Sequence, residues 1–168
     1  MLTLAPASAP ITRGTDVKPI RIDVRTISTA RPSTVYAVAK DSSRYPAWSA
    51  IGSFEHVRPG VDGPYGVGSL RIFRTAPLKL LEEVVELEPD RRVAYVVHRG
   101  LPFRDYRADI ELSPAPDGGT AIRWHNCFWP KYPGTGLLCR MFMQSIFDTI
   151  TPALAREAER IEAEQTTD

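Results

Sequence analysis

The chain has 168 residues, of which 43% are hydrophobic and 24% charged, a composition typical of one globular domain and not of a disordered chain. Its 21 basic and 20 acidic residues leave a net charge of +1, without the basic excess of a nucleic-acid-binding protein. No apolar run approaches the roughly 20 residues that span a bilayer, and the N-terminus is a poor signal peptide. These properties predict a cytoplasmic protein without stable membrane insertion.

The sequence contains none of the common metal, nucleotide or nucleophile motifs. Cys127 and Cys139 have no CxxC partner or Cys/His cluster nearby, so we interpret them as buried free thiols and expect no metal. A nucleophile elbow, a phosphate-binding loop and a complete dinucleotide fingerprint are also missing. We therefore expect no cofactor.

The first predicted elements are a strand and two short helices. Residues 1–17 are rich in Pro, Ala, Ser and Thr and are expected to form a flexible arm. Residues 20–25 then alternate apolar and charged, as in a strand with one buried face. Pro32 is placed to open a helix, because its missing N–H needs no partner there, and residues 45–48 predict a second short helix.

The middle of the chain predicts an antiparallel meander. From Phe54 to Phe128, alternating segments are separated by turn residues, giving about six strands. The run from Pro116 to Gly119 is a strong hairpin signal between the last two strands. After Pro133 and Gly134 the apolar period becomes helical.

The last predicted element is a long amphipathic helix. Apolar residues recur every three or four positions from Leu138 to Ile161, Pro152 within this helix predicts a kink, and residues 163–168 are expected to fray. Only this helix is long enough to cover the concave face of a curved sheet. The order therefore predicts an α+β fold over residues 18–162, with six to seven antiparallel strands wrapped around the C-terminal helix and two short helices after strand 1.

Three separated stretches resemble the polyketide cyclase/dehydrase and lipid-transport superfamily, which includes START-like and Bet v 1-like (SRPBCC) proteins. They are residues 30–36 with 45–48, residues 84–95, and residues 105–112 with 119–124. The resemblance implies a helix-grip fold that holds a small hydrophobic ligand between sheet and helix. It leaves the function open, because the superfamily includes cyclases, hormone and allergen-type binders and lipid-transfer domains.

Several residues are predicted to line the enclosed space. Trp124, Asn126 and Phe128 share one face of the last strand, and Tyr106 shares the parity of Ile110 in the strand before it. An inward amide must find a partner or bind a ligand, while the aromatic residues equally suit an ordinary core. The predicted ligand-binding set is Trp124, Asn126, Phe128, Tyr106, Ile110, Tyr95, Met141, Phe142 and Ile146.

The catalytic residues are unknown at this level, with Tyr106, Asn126 and Glu82 as candidates. A buried tyrosine can donate a hydrogen bond to a ligand oxygen. An inward carboxylate would have a raised pKa and suit a general base. Whether Glu82 points inward is open, because both faces of the segment 80–87 carry glutamates.

In the C-terminal helix, Met141, Phe142 and Ile146 are expected to face the enclosed space, where they either line a ligand site or close the core. Met143 and Phe147 are expected off that stripe, against a loop or in a dimer contact.

Three functions fit these features. The first is a cofactor-free cyclase- or aromatase-like enzyme that acts on an aromatic or polyketide-like molecule. The second is a non-catalytic carrier or sensor of a lipid or hydrophobic metabolite, and the third is a protein-interaction module with a filled cavity. The expected partner is a small hydrophobic ligand and not nucleic acid, and the oligomeric state, including a homodimer, is open.

Overall fold

A computed structural model describes residues 18–167 of the chain. Its strands are β1 (Ile20–Ser28), β2 (Ser53–Arg58), β3 (Leu70–Thr75), β4 (Leu78–Glu88), β5 (Arg92–Arg99), β6 (Phe103–Pro114) and β7 (Thr120–Pro130). Its helices are α1 (Pro32–Lys40), α2 (Tyr45–Trp48) and α3 (Gly136–Thr167), with a 3₁₀ turn at Ser42–Arg44.

All strands of the described region form one antiparallel sheet in the order β1-β7-β6-β5-β4-β3-β2. The predicted helix-grip fold is confirmed, with seven strands, two short helices after β1 and one long C-terminal helix. The predicted arm, residues 1–17, lies outside the described residues. α3 continues through Pro152 to Thr167, across most of the segment expected to fray.

The concave face of the sheet carries the core. Along β7, burial alternates without interruption, with Ile122, Trp124, Asn126 and Phe128 buried. α3 packs over this face at β1 and β7, and α1 packs against β5, β6 and α3. The part of the concave face formed by β5 and β6 is therefore covered by α1 more than by α3.

A register shift in β4 decides which glutamate points inward. Glu82 pairs with Val97 of β5, and the pairing shifts by one residue between Val84 and Glu86. Glu82 and Val84, before the shift, lie on the concave face and are buried. Because a one-residue slip moves later side chains to the opposite face, Glu86 faces outward and bonds Arg107.

The expected orientation of α3 is wrong in its first half. Met141, Phe142 and Ile146 are exposed, at 62%, 41% and 36%, whereas Met143 and Phe147 are buried. The first turns are apolar on nearly every side, so helical spacing alone allowed two stripes. The Phe147 ring packs edge-on against Trp124, 5.6 Å between centroids, and this contact fixes which stripe is buried.

The convex face carries a network of ion pairs between neighbouring strands. Opposite charges on paired positions stabilise a sheet and keep its wet face polar. Arg92 bonds Glu86 and Glu111, Arg107 bonds Glu86 and Asp109, and Arg123 bonds Asp23 and Glu111.

Candidate functional site

A buried ion pair lies on the concave face of the sheet, between β3 and β4. Arg71 and Glu82 occupy paired positions on the two strands, and both are buried. The Arg71 Nε and Nη2 atoms donate to Glu82 Oε2 at 3.2 and 3.1 Å, and Nη1 donates to Ser42 Oγ. The structure thus adds Arg71 and Ser42 to the predicted residues and gives Glu82 a charged partner.

Aromatic rings surround the Arg71 guanidinium. Its central carbon lies 5.1 Å from the Phe73 ring centroid, 5.2 Å from that of Tyr95 and 5.9 Å from that of Tyr45. These distances suit cation–π attraction, which compensates part of the lost hydration. Phe73 shares the concave parity of Arg71 on β3, and this shared parity is the sequence signal that places an arginine in an apolar interior.

The burial of the site shifts its acid–base behaviour. Burial raises the pKa of Glu82, and the nearby Arg71 charge offsets this only in part. Burial also raises the pKa of Tyr95 and of Tyr106, and the Glu82 charge raises both further. Both phenols therefore stay protonated at neutral pH and act as neutral hydrogen-bond groups.

A second polar pair continues the site toward β7. Trp124 Nε1 donates to the Tyr95 hydroxyl at 3.3 Å, and Asn126 Nδ2 donates to the Tyr106 hydroxyl at 3.4 Å. The Asn126 side chain is buried, but its Oδ1 atom has no hydrogen-bond partner within residues 18–167. Burying an amide oxygen without a hydrogen-bond partner costs free energy. The Asn126 Oδ1 atom is therefore available to accept a hydrogen bond from a ligand.

Apolar side chains form the wall between the polar groups and α3. Phe128 stacks on Phe103 with 4.1 Å between ring centroids, and Tyr106 lies 6.0 Å from Phe128. Trp124, Phe128 and Ile110 are fully buried, so beneath α3 they act as packed core. Of the predicted set, the structure brings together Tyr95, Tyr106, Ile110, Trp124, Asn126, Phe128 and Glu82, and leaves Met141, Phe142 and Ile146 outside.

Apolar side chains at one end of the concave face are less buried than those at its centre. Leu80 pairs with the inward Phe73, and Val97 pairs with the inward Tyr106, yet both are only partly buried. Leu101 and Phe103, at the β5–β6 connection, are also partly buried. These four apolar side chains, which we call the entrance, lie at the ends of β4, β5 and β6, beyond the region that α3 covers.

Two depressions lie elsewhere on the surface. One, of about 350 Å³, lies between α1 and the C-terminal end of α3. The other, of about 1300 Å³, follows the turns at the opposite end of the sheet and includes Arg92, Glu111 and Arg123. In the second depression these three side chains already bond to one another, so their polar groups have protein partners.

Within the described residues, no helix is long and apolar enough to cross a membrane. The same part of the chain contains no group of three His, Cys, Asp or Glu side chains placed to hold a metal ion.

A family model described as polyketide cyclase/dehydrase and lipid transport matches residues 19–159. The chain belongs to this family. The match covers every strand and most of α3, and the predicted resemblance is confirmed. This family and fold point to hydrophobic ligand binding. No curated protein matches this chain at a significant level.

Solved structures show the same fold at low sequence identity. A START superfamily protein from Mycobacterium smegmatis is 14% identical, with a TM-score of 0.73, and the match covers 84% of this chain and 98% of that one. XoxI from Bacillus cereus is 14% identical, with a TM-score of 0.70, covering 84% and 97%. Norcoclaurine synthase from Thalictrum flavum, in complex with dopamine and hydroxybenzaldehyde, is 13% identical, with a TM-score of 0.69, covering 93% and 95%.

Proposed function

We propose that this domain binds a neutral, flat, mostly apolar molecule that carries at least one hydroxyl group, with the polar end on Asn126 and the phenols beside it. The observation that carries the proposal is the unpartnered Asn126 Oδ1 atom on the buried concave face. A ligand hydroxyl would supply the missing donor and remove the cost of the orphaned acceptor.

The charge balance of the site favours a neutral ligand. Arg71 and Glu82 neutralise each other at 3.1 Å, and the two tyrosines stay uncharged. A ligand carboxylate would bring an uncompensated negative charge into an apolar interior, unless it displaced Glu82 from Arg71.

The aromatic lining favours a flat ring system. Tyr95 and Tyr106 present their rings on the concave face next to Phe103 of the entrance, where offset stacking on a planar ligand is favourable. Norcoclaurine synthase, which has the same fold, is solved in complex with dopamine and hydroxybenzaldehyde, and these two aromatic molecules support the proposal.

The test starts with native mass spectrometry of gently purified protein and of its organic extract. Binding is then compared by tryptophan fluorescence for 2-naphthol and 2-naphthoate, which share a ring system and differ in charge. We expect 2-naphthol to bind at least about tenfold more tightly, because an unpaired charge is costly to bury.

Two variants locate the ligand. Asn126→Leu keeps the side-chain volume but removes the acceptor, so 2-naphthol affinity should fall about five- to tenfold. Cys127→Ala changes the neighbouring residue of β7, which faces outward, and should leave affinity unchanged. Equal binding of naphthoate and naphthol, or unchanged affinity in Asn126→Leu, would count against the proposal.

The same geometry favours proton transfer as a second candidate function. The raised pKa of Glu82 brings it closer to the pH at which a carboxylate is an effective base. In this reaction the Glu82 carboxylate accepts an α-proton from a bound ketone, and a neutral Tyr95 or Tyr106 hydroxyl donates a hydrogen bond to the enolate oxygen.

This reaction can be measured without knowing the natural substrate. The α-hydrogens of 2-tetralone should exchange with deuterium faster in the presence of the protein, and Glu82→Gln should remove the acceleration while 2-tetralone still binds. If the protein binds 2-tetralone without accelerating exchange, the domain is a carrier and not a proton-transfer enzyme.

A further inference from the structure

The outward face of α3 is apolar in its first two turns. Leu138, Met141 and Phe142 stand at positions i, i+3 and i+4, so they share one helix face, and Leu137 borders Met141. Leu137 and Leu138 are 72% and 70% exposed. We call these four residues the docking face. Isolated exposed apolar residues are ordinary, but a contiguous group marks an interaction surface.

Within the segment that carries the docking face, residues 131–147, the charges are all of one sign. Between residues 131 and 147 the charged residues are Lys131 and Arg140, both basic, and both are exposed. The first acidic residue beyond them is Asp148, whose carboxylate accepts a hydrogen bond from Gln144 at 2.8 Å. Tyr132 adds an exposed aromatic ring beside the Lys131 ammonium, 5.7 Å from the ring centroid.

The docking face lies at the same end of the molecule as the entrance. A Cβ atom placed on Gly136, the first residue of α3, would lie 3.8 Å from the Pro130 ring and 3.7 Å from the Ile20 side chain. Pro130 in turn pairs with Phe103, one of the entrance residues. A surface that binds the docking face would therefore lie next to the entrance.

We propose that the domain binds, through the docking face, to the surface of a membrane that contains anionic phospholipids. Exposed leucine, methionine and aromatic side chains flanked by lysine and arginine are the pattern of an interfacial helix, and the basic residues complement anionic headgroups. A second copy of the chain fits less well, because a two-fold contact here would bring Arg140 toward its own symmetry mate.

Sedimentation with vesicles in the absence of any ligand tests the surface separately from the concave site. We expect the protein to bind phosphatidylcholine vesicles that contain about 30% phosphatidylglycerol, and to bind pure phosphatidylcholine vesicles at least about tenfold more weakly. Added salt should weaken the first interaction, because it screens the attraction between Lys131 or Arg140 and the headgroups.

Two double variants separate the apolar and the electrostatic contributions. Leu138→Glu/Met141→Glu should abolish vesicle binding. Lys131→Gln/Arg140→Gln should weaken binding to the anionic vesicles by about twenty-five-fold, at roughly fivefold for each cation, and leave binding to neutral vesicles unchanged. Both pairs are solvent-exposed, so circular dichroism and thermal unfolding should match the unmodified protein.

Ile27→Glu is the matched control, because Ile27 is 67% exposed at the far end of β1, where the neighbouring Ser28 contacts the C-terminal half of α3 and not the docking face. It should bind vesicles as the unmodified protein does. The proposal is overturned by failure to bind anionic vesicles, or by equal loss of binding in Ile27→Glu. It is also overturned if light scattering shows a dimer that Leu138→Glu/Met141→Glu dissociates while vesicle binding persists.

Discussion

Arg71 and Glu82 face each other across β3 and β4 with 3.1 Å between the guanidinium and a carboxylate oxygen, inside the grip and shielded from water. The desolvation of two such charges offsets much of their attraction, and a pair of apolar residues would often stabilise a core equally well. Stability alone therefore gives little reason for this pair. The ion pair lies among aromatic rings on the entrance side of the concave face, and this position agrees with a role in ligand binding.

Arg71→Leu should destabilise the domain, and more strongly at high pH. Without Arg71, the buried Glu82 carboxylate loses its charged partner, which costs about 3–5 kcal/mol. Because the folded-state pKa of Glu82 is raised, the penalty is absent below the pKa of the unfolded chain and becomes complete above the folded-state pKa. Urea unfolding at about pH 5 and about pH 8 should show the greater loss of unfolding free energy at the higher pH.

The double variant Arg71→Leu/Glu82→Leu provides the control for this effect. It removes both charges, so its unfolding free energy should recover most of the loss and no longer depend on pH over that window. A single Arg71→Leu variant with the same stability at both pH values would mean that Glu82 gains water or another partner on losing Arg71.

Phe147→Ala should destabilise the domain far more than Ile146→Ala. Phe147 is buried against Trp124, and truncation of a buried phenylalanine costs about 3–5 kcal/mol. Ile146 is 36% exposed, and its truncation should cost about 1 kcal/mol or less. Denaturant unfolding of the two neighbouring variants measures this difference. Equal losses would show that α3 is rotated relative to the sheet.

Thr151→Val should leave the unliganded domain as stable or slightly more stable. The Thr151 side chain is completely buried, and its hydroxyl has no hydrogen-bond partner within the described residues. Valine has nearly the same shape without the hydroxyl, so removal of an unsatisfied group should change unfolding free energy by about 0 to +1 kcal/mol. A loss above about 1 kcal/mol would instead show that the hydroxyl is bonded in solution.

Strand parity predicted the part of the site that lies on regular strands. Burial alternates without interruption along β7, and on β6 Tyr106, Ile110 and Leu112 share the buried parity, so the inward faces could be assigned from the sequence. The side of Glu82 could not be assigned, because it depends on the register shift between Val84 and Glu86. A shift of this kind depends on how two strands pair and leaves no clear pattern in either strand alone.

Two other features depend on tertiary packing. Arg71 alternates with Leu70 and Ile72, which are apolar enough to suggest that they form the inward face. Its inward position is stabilised by partners from other elements, chiefly Glu82 of β4 and Ser42. In α3, Leu138, Met141 and Phe142 match a buried stripe as well as Met143 and Phe147 do. The choice between them is made by contact with Trp124, which no local period encodes.

Asp23→Asn should weaken the domain mainly above about pH 4. Two hydrogen bonds from Arg123, 2.9 and 2.6 Å long, hold the Asp23 carboxylate and lower its pKa to about 2, against the opposing effect of partial burial. A lowered folded-state pKa stabilises the fold above the unfolded value of 3.8, and this contribution is lost as the pH falls toward about 2. Since Asp23 is 37% exposed, solvent screening reduces the expected contribution to about 0.5–1 kcal/mol.

Unfolding free energies measured in urea from about pH 6 to pH 2 should therefore converge for Asp23→Asn and the unmodified protein at the acidic end. Asp117→Asn, in the exposed turn between β6 and β7, controls for the loss of one carboxylate and should follow the unmodified protein throughout. If the Asp23→Asn curve instead stays parallel to that of the unmodified protein over the whole range, the Arg123 contact contributes nothing that depends on ionisation. The convex network would then keep strands β1 and β7 in register without adding to their acid stability.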